Sequence, residues 1–334
     1  MTTEILSAHT SDLFQKAVRR AAELLRAGEL VALPTETVYG LAANALDENA
    51  VGKIFKVKGR PSHNPIIVHV ADHGTARSCV EQWPETAELL ARAFWPGPLT
   101  LVLPRAEKIP DVVTAGGDTV GLRWPSHPFM QAVIRACGFP LAAPSANLSN
   151  QISPTNAAHV RAQLGGRIPL IVDGGQSQVG IESTVLDLAA VPARILRPGM
   201  VHVESLAAAG LPIAHCQLPD QARTLKSPGL LKKHYAPKAK LLVLKWNDDA
   251  ELQRLITRHA SPATCFVVAH TNIPAGFPAA NVSVIPHDAE AFARALYAEL
   301  HRCDAAGAET IVVEAPPDLP EWSGIADRLR RAAA

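Results

Sequence analysis

Two periods of apolar residues run through the chain, and they predict its elements. Residues 12 to about 27 place Leu13, Phe14, Ala17, Val18, Ala21, Leu24 and Leu25 on one helical face, with Ser11 as the expected cap and Gly28 as the stop. A short buried strand comes next at 30–33, then a helix at 48–57 with Val51, Ile54 and Phe55 turned inward. Further strands are expected at 65–70, 99–103, 119–123, 141–143, 170–172, 184–188 and 194–196, with helices at 84–94 and 127–137. Strands interleaved with helices predict an α/β domain whose sheet is largely buried. One stretch fits neither period. In "LPTETVYGLAANA" (33–45) an apolar run ends and Thr35, Glu36, Thr37 and Tyr39 come after it, as if a strand delivered polar groups to an edge.

After Gly199 the pattern changes. Residues 206–240 are proline-rich and weakly periodic, which predicts a short helix and then an extended linker. Beyond it, strands at 241–244, 265–268, 282–285 and 310–313 alternate with helices at 249–258, 289–305 and 319–330, as in a small Rossmann-like α/β unit. It carries no GxGxxG, so no dinucleotide is expected there. The expected division is 9–205, a linker at 206–239, and 240–334, with no repeat between the two units.

Composition narrows the function classes. With 48% hydrophobic residues in 334, the chain can build a sizeable core, and a formal net charge of +1 gives no global reason for nucleic-acid or membrane binding. No apolar run approaches a membrane span, and the N-terminal stretch lacks the pattern of a signal peptide, so a cytoplasmic protein is expected. Cys79, Cys137, Cys216, Cys265 and Cys303 form no CxxC pair and read as core cysteines of a reducing compartment.

Five clusters carry candidate chemistry. "KIFKVKGRPSHNP" offers Lys53, Lys56, Lys58 and Arg60 beside a Gly-Pro turn, suited to a polyphosphate or else to a solvated helix face. His69 interrupts an apolar strand. It and His73 lie too far apart on an extended chain, about 13 Å, to share a metal, so His69 is either a buried hydrogen-bonded residue or a ligand contact. Arg123 ends a strand before Trp124-Pro125, placed for a carboxylate, a phosphate or a structural ion pair. "AAPSANLSNQISPT" carries Ser145, Asn147 and Ser149, with Ser153 or Thr155 as a cap for the next helix. "VDGGQSQVGIESTV" and "RILRPG" bring a Gly174-Gly175 turn, Ser183 and Arg197 to further strand ends. There is no P-loop, GxSxG or HExxH signature. Several apolar strands thus end in hydroxyl, Arg or His groups, the makings of a ligand crevice.

Taken in order, "LPTETVYGL", "KVKGRPSHNPIIVHV", "WPGPLTLVLP", "TVGLRWPSHP", "APSANLSNQISPT", "DGG", "ESTV" and "LRPG" resemble the catalytic domain of the threonylcarbamoyl-AMP synthases. "SPGLLKKHYAPKAKLLVL" and the domain after it resemble the two-domain form often called Sua5, so the resemblance spans nearly the whole chain. It implies a twisted mixed-sheet YrdC-like domain with a concave face. It also implies the reaction L-threonine + bicarbonate + ATP → threonylcarbamoyl-AMP + pyrophosphate, the first step toward modified adenosine 37 of tRNA. A separate tRNA threonylcarbamoyl transferase complex would take the product. The family's threonine site maps onto Thr37, His69, Arg123, Ala143 and Ser183, with Arg123 expected on the carboxylate. Its ATP site maps onto Arg60, Asn64, Thr119, Ser145, Ser153, Arg197 and Tyr235, with Lys58 helping at the phosphates and Mg²⁺ carried by ATP rather than by a protein cage. Tyr235 lies in the linker, which would then close over the site. Relatives often carry Met and an aromatic where this chain has Leu230-Leu231-Lys232-Lys233, which bears on the packing of that lid. Two other readings are a module binding tRNA or double-stranded RNA through its basic cluster, and a carbamoyl-adenylate enzyme of hydrogenase maturation. The second would need acylphosphatase and zinc-finger segments that this sequence does not show.

Overall fold

The computed structural model describes residues 2–211, 228, 234–257 and 264–334. Cys216, Leu230-Leu231-Lys232-Lys233 and the expected last residue of one helix, Arg258, lie outside the described residues. Fourteen strands are described: β1 (Glu4–Ser7), β2 (Val31–Leu33), β3 (Gly40–Asn44), β4 (Val68–His69), β5 (Leu99–Pro104), β6 (Thr119–Arg123), β7 (Leu141–Ala142), β8 (Leu170–Asp173), β9 (Thr184–Asp187), β10 (Arg194–Arg197), β11 (Lys240–Leu244), β12 (Cys265–Ala269), β13 (Val282–Val284) and β14 (Thr310–Glu314). The first ten form one mixed sheet in the order β1-β8-β2-β3-β7-β4-β6-β5-β9-β10. The last four form a wholly parallel sheet in the order β11-β14-β12-β13. The mixed α/β sheet and the small parallel α/β unit are those expected from the pattern.

Register within the first sheet decides which residues meet. Strands β4 and β6 run parallel with His69 opposite Arg123, so their last residues are neighbours. Strand β7 runs antiparallel to β4 and pairs Leu141 with His69, which brings the residues after β7 to the same edge. The helices cover the sheet through apolar faces. Ala17, Val18, Ala21, Ala22 and Leu25 of helix Ser11–Arg26 are buried, and Phe129, Met130 and Val133 of helix Pro128–Cys137 pack in the same cluster.

Helix ends correct two expected caps. The first helix is capped by Thr10 rather than Ser11, whose own backbone is already helical. The helix after "SANLSNQISPT" is Ala157–Leu164, capped by Asn156 rather than by Ser153 or Thr155. Those two side chains are buried and engaged elsewhere. The final segment is a 3₁₀ turn, Pro320–Trp322, succeeded by helix Ser323–Ala332. Strands β1 and β3 and the short helices His73–Ser78 and Asp111–Thr114 were not expected.

The two sheets belong to units packed directly together. Helix Ala289–Ala305 lies on the loop before β9, where Arg294 donates to the Gln178 carbonyl at 2.8 Å, and on helix Ala157–Leu164, where the His301 ring stacks on His159 at 3.9 Å between centroids. Gly180 permits this approach. Its φ is +83°, and a Cβ there would sit 2.3 Å from the Ala293 carbonyl oxygen and 2.4 Å from the Arg294 Cα. Gly138 also has positive φ, +77°, but open space around it. Gly180→Ala is therefore expected to cost about 2–4 kcal/mol, strain plus overpacking. Gly138→Ala should cost only the left-handed backbone penalty, about 1–2 kcal/mol. Urea unfolding of both variants checks the contrast.

Candidate active site

The polar stretch after β2 folds into a hydroxyl-bonded turn. Thr35 Oγ1 accepts the N–H groups of Thr37 (3.2 Å) and Val38 (3.3 Å) and donates to the Val38 carbonyl at 2.6 Å. The same hydroxyl also lies 3.0 Å from that of Thr37. Thr37 Oγ1 accepts from Arg123 Nη1 at 2.9 Å. Tyr39 points away: its hydroxyl donates to the Gly175 carbonyl and accepts the Gly174 N–H, pinning the Gly174-Gly175 turn. Glu36 forms a buried ion pair with Arg123, Oε1 to Nη2 at 2.7 Å. Burial favours the neutral acid, but Arg123 overrides it and holds the Glu36 carboxyl below its ordinary range.

All five residues assigned to threonine (Thr37, His69, Arg123, Ala143 and Ser183) line one half-open cleft, together with Arg60, Ser145, Arg197 and Tyr235. Arg123 also donates from Nε to the Gly97 carbonyl. Its hydrogen bonds to Gly97 and Thr37 and its ion pair with Glu36 leave N–H groups on both terminal nitrogens for an incoming carboxylate. His69 is buried, and burial together with Arg123 pushes its pKa down to about 3, so the imidazole is neutral at pH 7. Its Nδ1 is buried without a protein partner. Ser183 shares a 2.8 Å hydroxyl contact with Thr100 and accepts from Arg197 Nη2 at 3.1 Å.

The residues assigned to ATP divide into three groups. Arg60, Ser145, Arg197 and Tyr235 reach the cleft. Arg60 is held by the carbonyls of Asn64 (3.0 Å) and Pro65 (2.6 Å), which leave three of its N–H groups over. Burial presses its pKa down to about 9, so it stays charged at neutral pH. Arg197 donates to the Ser183 carbonyl at 3.0 Å and lies beside the Tyr235 hydroxyl. Thr119 lines a separate apolar slot with Ile66, Val113, Gly121 and Val185, and this slot shares Ile67 and Pro228 with the main cleft.

Lys58, Asn64 and Ser153 stand behind the wall. Lys58 is fully buried, and its ammonium donates to the carbonyls of Ser145 and Asn147 and to Asn147 Oδ1. All three donors are committed, so a direct phosphate contact would require one to be exchanged. Burial, then Arg60, holds its pKa well below the ordinary lysine value. Asn64 Oδ1 is buried without a protein partner. Ser153 donates to Glu182 Oε1 at 2.6 Å. The basic run is thus no single solvated face: Lys53 pairs with Glu29 at 2.8 Å, while Lys58 and Arg60 turn inward.

Sequence reasoning left out Glu182, His234, Val38, Pro144 and Pro228, all of which line the cleft. The available signal was adjacency, since Glu182 precedes Ser183 and His234 precedes Tyr235. Among the described residues no group of three or more His, Cys, Asp or Glu side chains is arranged to hold a metal, and no helix is long and apolar enough to cross a membrane.

A family model described as "Telomere recombination", covering the Sua5, YciO and YrdC proteins, matches residues 23–199. A second, "Threonylcarbamoyl-AMP synthase, C-terminal domain", matches residues 201–334. Threonylcarbamoyl-AMP synthase of Pyrococcus abyssi is 40% identical over 321 residues, which cover 95% of this chain and 94% of that protein. The enzyme of that name from Bacillus subtilis is 43% identical over 322 residues, covering 95% and 92%. The crystal structure of P. abyssi Sua5 complexed with L-threonine superposes with a TM-score of 0.89 at 38% identity, covering 100% of this chain and 98% of that one.

Buried and half-buried neutral histidines set the response to acid. His69, His159 and His234 each have a folded pKa of about 3 against 6.5, all chiefly through burial. Between pH 6.5 and 3 the unfolded chain binds protons that the folded chain does not, so stability falls as pH falls through that window. Glu182, held at about 2 against 4.5, adds a further loss below pH 4.5. Urea midpoints at about pH 7.5, 6.0 and 5.0 should decline in that order; a midpoint that rises on acidification would mean these imidazoles are charged and paired in the fold.

Proposed function

Because the chain belongs to the threonylcarbamoyl-AMP synthase family in its two-domain Sua5 form, we propose how its residues divide the reaction. The activity is the synthesis of threonylcarbamoyl-AMP from L-threonine and ATP, a step of tRNA modification. The observation that carries the assignment is the contact of two unlike sites in one cleft. Thr37, His69 and Arg123 form an amino-acid corner, and Arg60 and Arg197 supply cations for a polyphosphate beside it.

In this reading the free N–H groups of Arg123 grip the threonine carboxylate, and Glu36 holds the guanidinium from behind. Neutral His69 accepts from the substrate through its unpartnered Nδ1. With a pKa of about 3 it orients the amine and is too weak a base to store its proton. Bicarbonate or CO₂ is the third substrate. The threonine nitrogen bonds to the carbon of bicarbonate, giving a carbamate, while water and one proton leave to solvent. A carbamate oxygen then bonds to the α-phosphorus of ATP, and pyrophosphate leaves with the electrons of the broken P–O bond. The carbamate is labile in water, so the buried walls and the linker residues Pro228, His234 and Tyr235 keep the two substrates close and dry. Arg60 and Arg197 stabilise charge on the phosphates, and Lys58 helps from behind by holding the Ser145 loop through its carbonyl. Ser145, Ser153, Asn64 and Tyr235 frame the nucleotide, and the apolar slot around Thr119 takes the base. Mg²⁺ would be carried by ATP rather than by a protein cage, and it would supply further neutralisation of phosphate charge. The product passes to a tRNA threonylcarbamoyl transferase complex.

Purified protein with Mg²⁺ should release pyrophosphate from ATP only when both L-threonine and bicarbonate are present, with threonylcarbamoyl-AMP seen by mass spectrometry. Absence of that product overturns the reading. Arg60→Ala and Arg123→Ala should each lower kcat/KM by tens to thousands of fold, about 2–4 kcal/mol, and unchanged kinetics would remove the assigned role. Glu36→Gln should raise the KM for threonine about tenfold, the loss of one charge-assisted contact, and leave the KM for ATP within about twofold.

A further inference from the structure

The last helix of the chain reaches back to the catalytic cleft. Arg328, on helix Ser323–Ala332 of the second unit, is fully buried. Its Nε donates to Glu182 Oε2 at 2.7 Å, its Nη2 to the Glu182 carbonyl at 3.1 Å, and its Nη1 to the Pro198 carbonyl at 2.8 Å. These acceptors belong to the chain neighbours of Ser183 and Arg197. One guanidinium therefore fastens the start of β9 to the end of β10, the two strand ends that carry those cleft residues. The close approach is built in: a Cβ on Gly324 would lie 3.0 Å from the Gly199 Cα, and one on Gly199 would lie 2.6 Å from the Thr184 nitrogen.

The grip extends through Glu182. Its Oε1 accepts from Ser153, and its Oε2 also accepts from Tyr297 at 3.1 Å. Burial opposes the charge on Glu182, but Arg328 first and Arg197 next hold its pKa at about 2, so the carboxylate stays ionised. His301, from the same second unit, contacts the Ser153 carbonyl at 3.1 Å. The Arg328 guanidinium also faces the Tyr235 ring at 5.4 Å. Asp327 contacts Arg328 and Arg331 and so holds the helix end in register. Ser153, Arg197 and Tyr235 are each assigned to ATP, and each is braced from the second unit.

We propose that Arg328 is a positioning residue for ATP, acting through Glu182, Ser153 and Tyr235, and that the second unit is in this way part of the nucleotide site. The proposal rests on the ATP assignments made under the proposed function. Arg328 touches no substrate. The carboxylate corner of the threonine site is held independently of it: Thr37 and Arg123 are held by Thr35, Glu36 and Gly97, all in the first unit. Ser183, the threonine residue on a strand end that Arg328 fastens, has its hydroxyl held separately against Thr100.

The test uses the full chain with Arg328→Met, Arg328→Lys and the paired variant Arg328→Met/Glu182→Gln. The pair removes both charges together and keeps the test open if the first variant leaves Glu182 unpaired and fails to fold. Steady-state kinetics would be run with ATP and threonine varied separately, and calorimetry would measure binding of a non-hydrolysable ATP analogue. Folded Arg328→Met, or the paired variant, should raise the KM for ATP and the analogue Kd about tenfold or more, with the threonine KM within about threefold. Arg328→Lys should recover less than about half of that loss on a logarithmic scale, because an ammonium cannot span the three acceptors. The proposal is overturned if both KM values stay at wild type or rise in proportion, or if Arg328→Lys restores full ATP affinity. Wild-type protein that makes no threonylcarbamoyl-AMP would overturn the functional reading instead, and analogue affinity would still decide the role of Arg328.

Discussion

The buried contact between Arg328 and Glu182 is the constraint on which the cleft depends. Two charges placed almost wholly out of water persist only when the geometry is good and their remaining hydrogen-bonding groups are satisfied. Here both conditions are met. Glu182 accepts from Ser153 and Tyr297 as well as Arg328, and Arg328 finishes its donors on backbone carbonyls. Removing Arg328 would leave Glu182 without its ion-pair partner in the interior, whereas removing Glu182 would leave Arg328 with Asp327 at 3.1 Å. The pair contributes definition more than net stability: it selects one arrangement of the β9 and β10 ends.

The same economy of donors explains the amino-acid corner. Thr35 fixes Thr37, Thr37 and Glu36 fix Arg123, and parallel register sets Arg123 against His69. Each polar group is oriented by another before a substrate arrives, which is the arrangement that costs least reorganisation during reaction. Low dielectric works on each titratable group in turn. It neutralises His69, where no carboxylate is close enough to prevail, and fails to neutralise Glu36 and Glu182, each facing an arginine.

Much of this was legible in the chain. Apolar runs located most strands, because β2, β5, β9 and β12 are buried along most of their length and read as near-continuous hydrophobic segments. Polar groups at the ends of those runs pointed to the cleft. Strand β3 was hidden for the reason that exposed others: Gly40–Asn44 packs on both faces with small residues and shows no alternation. The short helices His73–Ser78 and Asp111–Thr114 are too brief to show a period. Caps were misplaced where two hydroxyl residues compete and tertiary partners decide, as with Ser153, whose hydroxyl goes to Glu182 and not to a helix end. Strand order and long-range partners were not legible. Glu36 could be recognised as a carboxylate in need of a cation, but nothing local marks Arg123 as that cation. Arg328 lies 146 positions from Glu182 and looks in sequence like one more arginine of a basic helix.

On the ATP assignments proposed above, both units build one nucleotide site, with the first carrying the chemistry and the second fixing its frame. Amide hydrogen exchange with and without a non-hydrolysable ATP analogue tests that claim most directly. The account predicts slowed exchange in helix Ser323–Ala332 and around Tyr297, together with the loops at Ser153 and Arg197, when the analogue binds. Protection confined to the first unit, with exchange in Ser323–Ala332 unchanged, would contradict it.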